Sequence, residues 1–154
     1  MVREGLFTDG DPPALLGSRC AACGAHHFPL HDTCPYCAVD GPLPTQLSAA
    51  GELWAWTAVT AAPPGYQGPV PYGVGVVELP EGIRVITHLT VSDPAALALG
   101  QAMRLCVVPL HIDTNGNEVV TFSFAPSAPA TPVPPATPVP PAAPAAPAPP
   151  AVAP

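Results

Sequence analysis

The chain has no lysine, and its basic residues are four arginines, Arg3, Arg19, Arg84 and Arg104, among 154 residues. Set against eleven carboxylates they leave a formal charge of -7. A surface this acidic is poorly suited to neutralising the phosphates of a nucleic acid, which argues against that partner class. Long apolar runs are also missing. No segment approaches the ~18 residues needed to span a bilayer, and the opening "MVREGLFTDGDPP" has no apolar stretch like that of a signal peptide. A soluble, cytoplasmic protein with no membrane partner is the expectation. The recurrent motifs of catalysis are absent as well: there is no serine–histidine motif, no phosphate-cradling glycine loop and no pair of carboxylates at a telling spacing.

What the chain does have is a concentration of thiols. Four of its five cysteines fall within "CAACGAHHFPLHDTCPYC", Cys20 to Cys37. In a reducing compartment such a cluster points to metal rather than to disulfides. Cys20-x2-Cys23 and Cys34-x2-Cys37 each allow one tight turn to present two sulfurs to a single ion, and Gly24 and Pro35 suit such turns. Together they form a tetrahedral four-sulfur shell, the arrangement of structural zinc. Iron held as in rubredoxin-like electron carriers is the rival, although those carriers usually separate their pairs by more chain. A closed four-thiolate shell has no open position at which to activate water or polarise a substrate. Its role is to fold a ribbon too short to fold by apolar burial alone.

The remaining candidates weigh less. His26, His27 and His31 lie between the cysteine pairs and read as ribbon-surface residues, with His31 placed to meet a partner or an anion. His88 alternates with Arg84 and Ile86 along a strand and reads as outward or partly buried rather than as a catalytic base. Cys106 shares a parity with Val108, Leu110 and Ile112 and reads as a small core residue.

Three segments follow from composition: the N-terminal segment and ribbon at 1–44, a strand-rich domain at 45–125, and an Ala/Pro tail at 126–154. Half of the 26 prolines lie after Phe124, and "ATPVPP" at 130–135 repeats at 136–141. The tail is expected to be disordered with polyproline II character. The middle segment predicts five strands. A long run carries Trp54 and Trp56, with a bulge or bend expected at Gly51 and Trp54 expected in the core. "YGVGVVEL" and "IRVITHLTV" flank the short connection "PEG", and Ile83, Val85, Thr87, Leu89 and Val91 share one face at period two. Asp93 and Pro94 open a short helical turn that closes on Gly100. "AMRLCVVPLHI" and "EVVTFSF" are joined through Asn115-Gly116. Five short strands with one helical turn between the third and fourth fit a mainly β protein, a five-stranded OB-type barrel behind the ribbon; an open sandwich would give a similar pattern.

The order of these parts carries a resemblance. "LLGSRCAACGAHHFPLHDTCPYC", then "LSAAGELWAWTAV", "PPGYQGPVPYGVGVVELPEGIRV", "DPAALALGQAMRL" and "FSFAP" resemble the zinc-ribbon plus OB-fold proteins that accompany thiolase-like and hydratase-like enzymes acting on acyl-CoA. The similarity runs from Leu15 to Pro126, and its most specific part is Pro64-Gly65-Tyr66 followed by Pro71-Tyr72 and "VELPEG". Two departures stand out: Leu30-His31 replaces a basic position common in the family, and the N-terminal docking helix of many members is short here. The resemblance implies a non-catalytic auxiliary subunit, with catalytic residues on the partner enzyme. It implies structural zinc on Cys20, Cys23, Cys34 and Cys37. It also implies that Pro64, Gly65, Tyr66 and Tyr72 lie at an acyl-CoA channel or partner interface. Two other classes compete, a single-stranded nucleic-acid module and a rubredoxin-like redox protein. The charge opposes the first, and neither accounts for the Pro-Gly-Tyr loop.

Overall fold

The computed structural model describes residues 4–8 and 10–127. The Ala/Pro tail lies outside the described residues from position 128 onward. A three-stranded antiparallel sheet comes first, formed by β1 (Leu15–Arg19), β2 (His26–His27) and β3 (Leu43–Leu47) in the order β2-β1-β3. The chain bends at Ser48–Ala49 and enters a closed barrel of β4 (Ala50–Val59), β5 (Tyr72–Glu78), β6 (Arg84–Leu89), β7 (Ala102–Ile112) and β8 (Glu118–Pro126). The barrel order is β4-β5-β6-β8-β7. Closure comes from β6 and β8, which run parallel through the pairs His88–Ser123 and Leu89–Phe124. The expected ribbon and five-stranded barrel are both present. The expected segment boundary at 44/45 falls inside β3, which pairs along its whole length with β1 of the ribbon.

Alternation decides which side chains fill the barrel. On β6, Val85, Thr87 and Leu89 are buried while Arg84 and Ile86 are exposed, as the period-two reading requires. On β5, Val77 points inward together with Gly73 and Gly75. A Cβ at Gly73 would collide with the Val91 carbonyl, so this strand needs glycine to let its neighbour approach. Leu53, Val77, Met103 and Phe124 are all at most 1% exposed; each such side chain stabilises the fold by ~1.5–3 kcal/mol.

Three expectations are corrected. Trp54 is not a core residue. It directly follows inward Leu53, at the point where the register of β4 against β5 shifts between Leu53 and Ala55, and it faces outward, 49% exposed. Gly51 does not carry the expected bulge; a Cβ there would strike the Glu78 carbonyl, so glycine serves close strand approach instead. Cys106 lies on the outer parity of β7. Met103 and Leu105 fill the interior, and Cys106 is half-buried with Sγ 3.5 Å from the Ser123 carbonyl oxygen. Burial pushes its thiol pKa up, with Arg104 opposing.

Both turns form, with two differences from the sequence reading: the helical turn ends at its C-cap Leu97 rather than on Gly100, and in the Asn115-Gly116 pair Gly116 has positive φ, at 83°, while Asn115 does not. Asp93 caps the single helical turn, Pro94–Ala96, by accepting a hydrogen bond from the Ala95 amide at 2.9 Å. Asp113 Oδ1 accepts from the amides of Asn115 and Asn117 and holds the β7–β8 turn. These bonds keep the Asp113 carboxyl below the usual range, with the Asn117 amide contributing most.

Ribbon and barrel share one core. Phe7, Leu15 and Leu47 cluster with Leu53, Met103 and Phe124. At the contact, Phe122 receives the rings of Phe28 (centroids 5.6 Å apart) and Phe7 (5.9 Å), both edge-on.

Candidate functional site

Two chemically distinct places stand out. The first is the four-cysteine cluster. Each C-x2-C segment forms the same knuckle: the Gly24 amide donates to Cys20 O and the Cys20 amide to Ala25 O, while Ala38 donates to Cys34 O and Cys34 to Val39 O. Gly24 and Ala38 hold equivalent positions with φ of 75° and 58°. The second knuckle therefore places an alanine where the first has a glycine.

The knuckles bring all four Sγ atoms within 4.8 Å of one another. Cys20 and Cys37 are 3.6 Å apart, and Cys23 and Cys34 are 3.8 Å apart. A tetrahedral ion with Zn–S bonds of ~2.3 Å requires sulfur–sulfur edges of about 3.8 Å. The donor set fits structural zinc in number, kind and spacing. The Cys23 amide, seconded by that of Ala22, holds the Cys20 pKa down to about 6. Cys37 has a favourable Val39 amide, yet hydrogen bonds with the Cys20 sulfur and its neighbours push it up to about 12. A dication held by these four residues would favour the thiolate form of each sulfur.

The histidines separate by environment. His31 is exposed, with its ring 5.7 Å from that of His27. His27 is buried rather than on the surface, with Nδ1 3.1 Å from the buried Ser18 hydroxyl and Nε2 without a partner among the described residues.

The second place is the loop between β4 and β5. Tyr66 and Tyr72 come together, their ring centroids 4.6 Å apart, and His88 stacks on Tyr72 at 4.9 Å with the planes 9° apart. This three-ring stack walls a groove of about 250 Å3, closed on its other side by Val108, Pro109 and Leu110 and floored by Ser123. Pro64 and Gly65 stand apart from the groove. They form the exposed turn behind it, with Gly65 at φ 82° and the Tyr66 amide donating to Pro63 O. Burial pushes the Tyr66 hydroxyl pKa up and the His88 pKa down, which favours the neutral imidazole. The Ser123 hydroxyl donates to the His88 carbonyl at 2.8 Å and is thereby committed to the backbone. Sequence reasoning missed His88 as a member of this site. Its outward parity was legible, but the ring stack needs the β5–β6 register that sets Val74 opposite it.

Residues 7–42 match the family described as the ChsH2 rubredoxin-like zinc ribbon domain, and residues 44–108 match the ChsH2 C-terminal OB-fold domain. A DUF35 domain-containing scaffold protein of Methanothermobacter thermautotrophicus is 30% identical over 92 residues, which are 59% of this chain and 69% of the relative. The chain belongs to the DUF35 family. A relative in Thermomonospora curvata, named a probable enoyl-CoA hydratase alpha subunit, is 31% identical over 91 residues, 59% of this chain and 28% of that one. Among solved structures, a chain of the Ltp2–ChsH2(DUF35) aldolase is similar to this one. It has a TM-score of 0.60 and 25% identity, and the match covers 75% of this chain and 86% of that one. The DUF35 ribbon and barrel are thus both present here, and no helix among the described residues is long and apolar enough to cross a membrane.

Proposed function

We propose that this DUF35 chain is a non-catalytic subunit of an acyl-CoA enzyme, assembling with a thiolase-like or hydratase-like partner in the cytoplasm. The observation that carries the reading is the Tyr66–Tyr72–His88 stack over its groove. Stacked rings with polar edges suit a surface that is apolar on one side and wet on the other, as interfaces and pantetheine arms are. At about 250 Å3 the groove lies below the ~300–1,000 Å3 of sites that enclose a whole drug-sized ligand. It matches a thin arm or a single partner side chain. His88 and Ser123 do not form a nucleophile–base pair, because Ser123 faces the backbone carbonyl instead. Relatives named scaffold protein, hydratase subunit and aldolase point to the same role. The zinc ribbon braces the barrel end through Phe28 and Phe122 and takes no part in chemistry.

The test is co-expression with a thiolase-like or hydratase-like acyl-CoA enzyme from the same genome. Tyr66→Ala is expected to weaken co-purification or acyl-CoA turnover while zinc content and melting stay as in the parent. Assembly and turnover equal to the parent would remove the groove from the working surface.

A further inference from the structure

The outer face of β5 and β6 continues away from the tyrosine stack in three rungs. Val74 lies opposite His88, Val76 opposite Ile86, and Glu78 opposite Arg84. Ile86 is 74% exposed at the middle rung. The far rung lies six residues along β5 from Tyr72, about 20 Å away at ~3.3 Å per residue.

There stands Trp54, with the Arg84 guanidinium 4.0 Å over its ring and Arg84 Nε 2.6 Å from Glu78 Oε2. Beside them Glu52 stands directly opposite Glu78 across β4 and β5. Two like charges at that spacing oppose each other. The Arg84 cation is bonded to Glu78, which leaves Glu52 in no ion pair among the described residues.

Between Trp54 and Leu99 lies a notch of about 210 Å3 floored by Leu53 and Gly100 and rimmed by Glu52 and Glu78. Its floor is tied by backbone hydrogen bonds, because the Leu53 amide donates to Gln101 O and the Leu53 carbonyl accepts from the Gly100 amide. The notch is the size of one large side chain, apolar at its base and acidic at its rim.

We infer that the partner interface extends along this face, and that the notch receives a basic side chain of the partner protein. The stem packs on Leu53 and Leu99, and the cationic tip reaches Glu52. An acidic chain carrying an exposed Trp–Arg pair is complementary to a basic, apolar-flanked surface. This inference rests on the proposed assembly for the identity of the partner, and on the notch itself for the partner's chemistry.

Two measurements test it. Millimolar acetyl-Leu-Arg-Leu-amide, titrated into the 15N-labelled full chain, is expected to shift the Trp54 indole and the amides of Glu52 and Leu99. The citrulline analogue is expected to shift them little. With the acyl-CoA enzyme that co-purifies with the parent chain, Glu52→Lys is expected to weaken binding about tenfold at low salt, an effect that shrinks as salt rises. The same variant places a cation opposite Glu78 and is expected to raise the melting temperature slightly, so binding and stability move in opposite directions. Ile86→Asp is expected to weaken binding at all salt concentrations. The inference is overturned if the arginine peptide shifts none of these signals. It is also overturned if both variants bind like the parent; should Tyr66→Ala still weaken binding, the groove reading survives without this extension. A parent chain that dimerises alone, with Ile86→Asp dissolving the dimer, would make a second copy the occupant and overturn the heteromeric assignment.

Discussion

Ribbon and barrel reach a fixed shape by opposite means. The ribbon encloses four sulfurs: Cys20 and Cys34 are buried, while Cys23, Cys37 and most residues around them are exposed. The barrel encloses alternate side chains of five strands, and four of its large residues are at most 1% exposed. The ribbon's stability is therefore conditional on an ion, whereas the barrel's is spread over many apolar contacts. A domain can thus append a module with almost no apolar interior, provided that a metal closes it and a few rings tie it down.

The sharpest way to break that comparison is to remove the ion. Cys34→Ser or a strong chelator withdraws a binding free energy that reaches ~10–16 kcal/mol in zinc-finger peptides. Elemental analysis is expected to fall from one zinc per chain to none. Amide signals of β1 to β3 should collapse while those of β4 to β8 keep their dispersion. Simultaneous collapse of both sheets would mean that the shared Phe7–Phe28–Phe122 contact makes them one cooperative unit.

The next test lies within the barrel. Phe124→Ala is expected to cost ~3–5 kcal/mol in urea denaturation, as removal of a buried ring does. Trp54→Ala is expected to cost less than ~1 kcal/mol, the scale of an exposed cation–π contact. Equal losses would show that Trp54 carries packing that its 49% exposure does not reveal.

The smallest expected effect is a gain. Ala38 has φ 58° where its counterpart in the first knuckle is Gly24. A left-handed backbone costs a non-glycine residue ~1–2 kcal/mol, partly offset by the extra chain freedom of glycine when unfolded. Ala38→Gly is expected to raise ribbon stability by up to about 1 kcal/mol, read from the chelator concentration at half-loss of zinc. An unchanged midpoint would show that the second knuckle accommodates the alanine without strain.

The metal centre was legible because its signal is local: two C-x2-C pairs determine the ligands whatever surrounds them. The strand faces of β5 and β6 were legible for a similar reason, since period two persists where no residue is inserted. Trp54 was misplaced because residue type, a large aromatic in a strand, was weighed above parity: it directly follows inward Leu53, and the irregularity after it brings Trp56, not Trp54, opposite inward Gly75. Cys106 failed differently. Apolar residues occupy both parities of β7, so only pairing with β8 reveals which side meets Phe124. The phenylalanine contact and the His88 stack join positions far apart in the chain, and such contacts have no trace in sequence spacing. Tyr66 and Tyr72 could be singled out from sequence, but that their rings stack, and that His88 adds a third, could not.

The bend at Ser48–Ala49 has a mechanical consequence. With only two residues between β3 and β4 there is no tether about which the ribbon could swing. Any rotation would have to draw Leu47, 3% exposed, out of the common interior, a step on the order of 1.5–3 kcal/mol before the phenylalanine rings are counted. The two sheets therefore act as a single lever, and a load applied at the cysteine knuckles is transmitted to the far end of the barrel instead of being absorbed at a hinge.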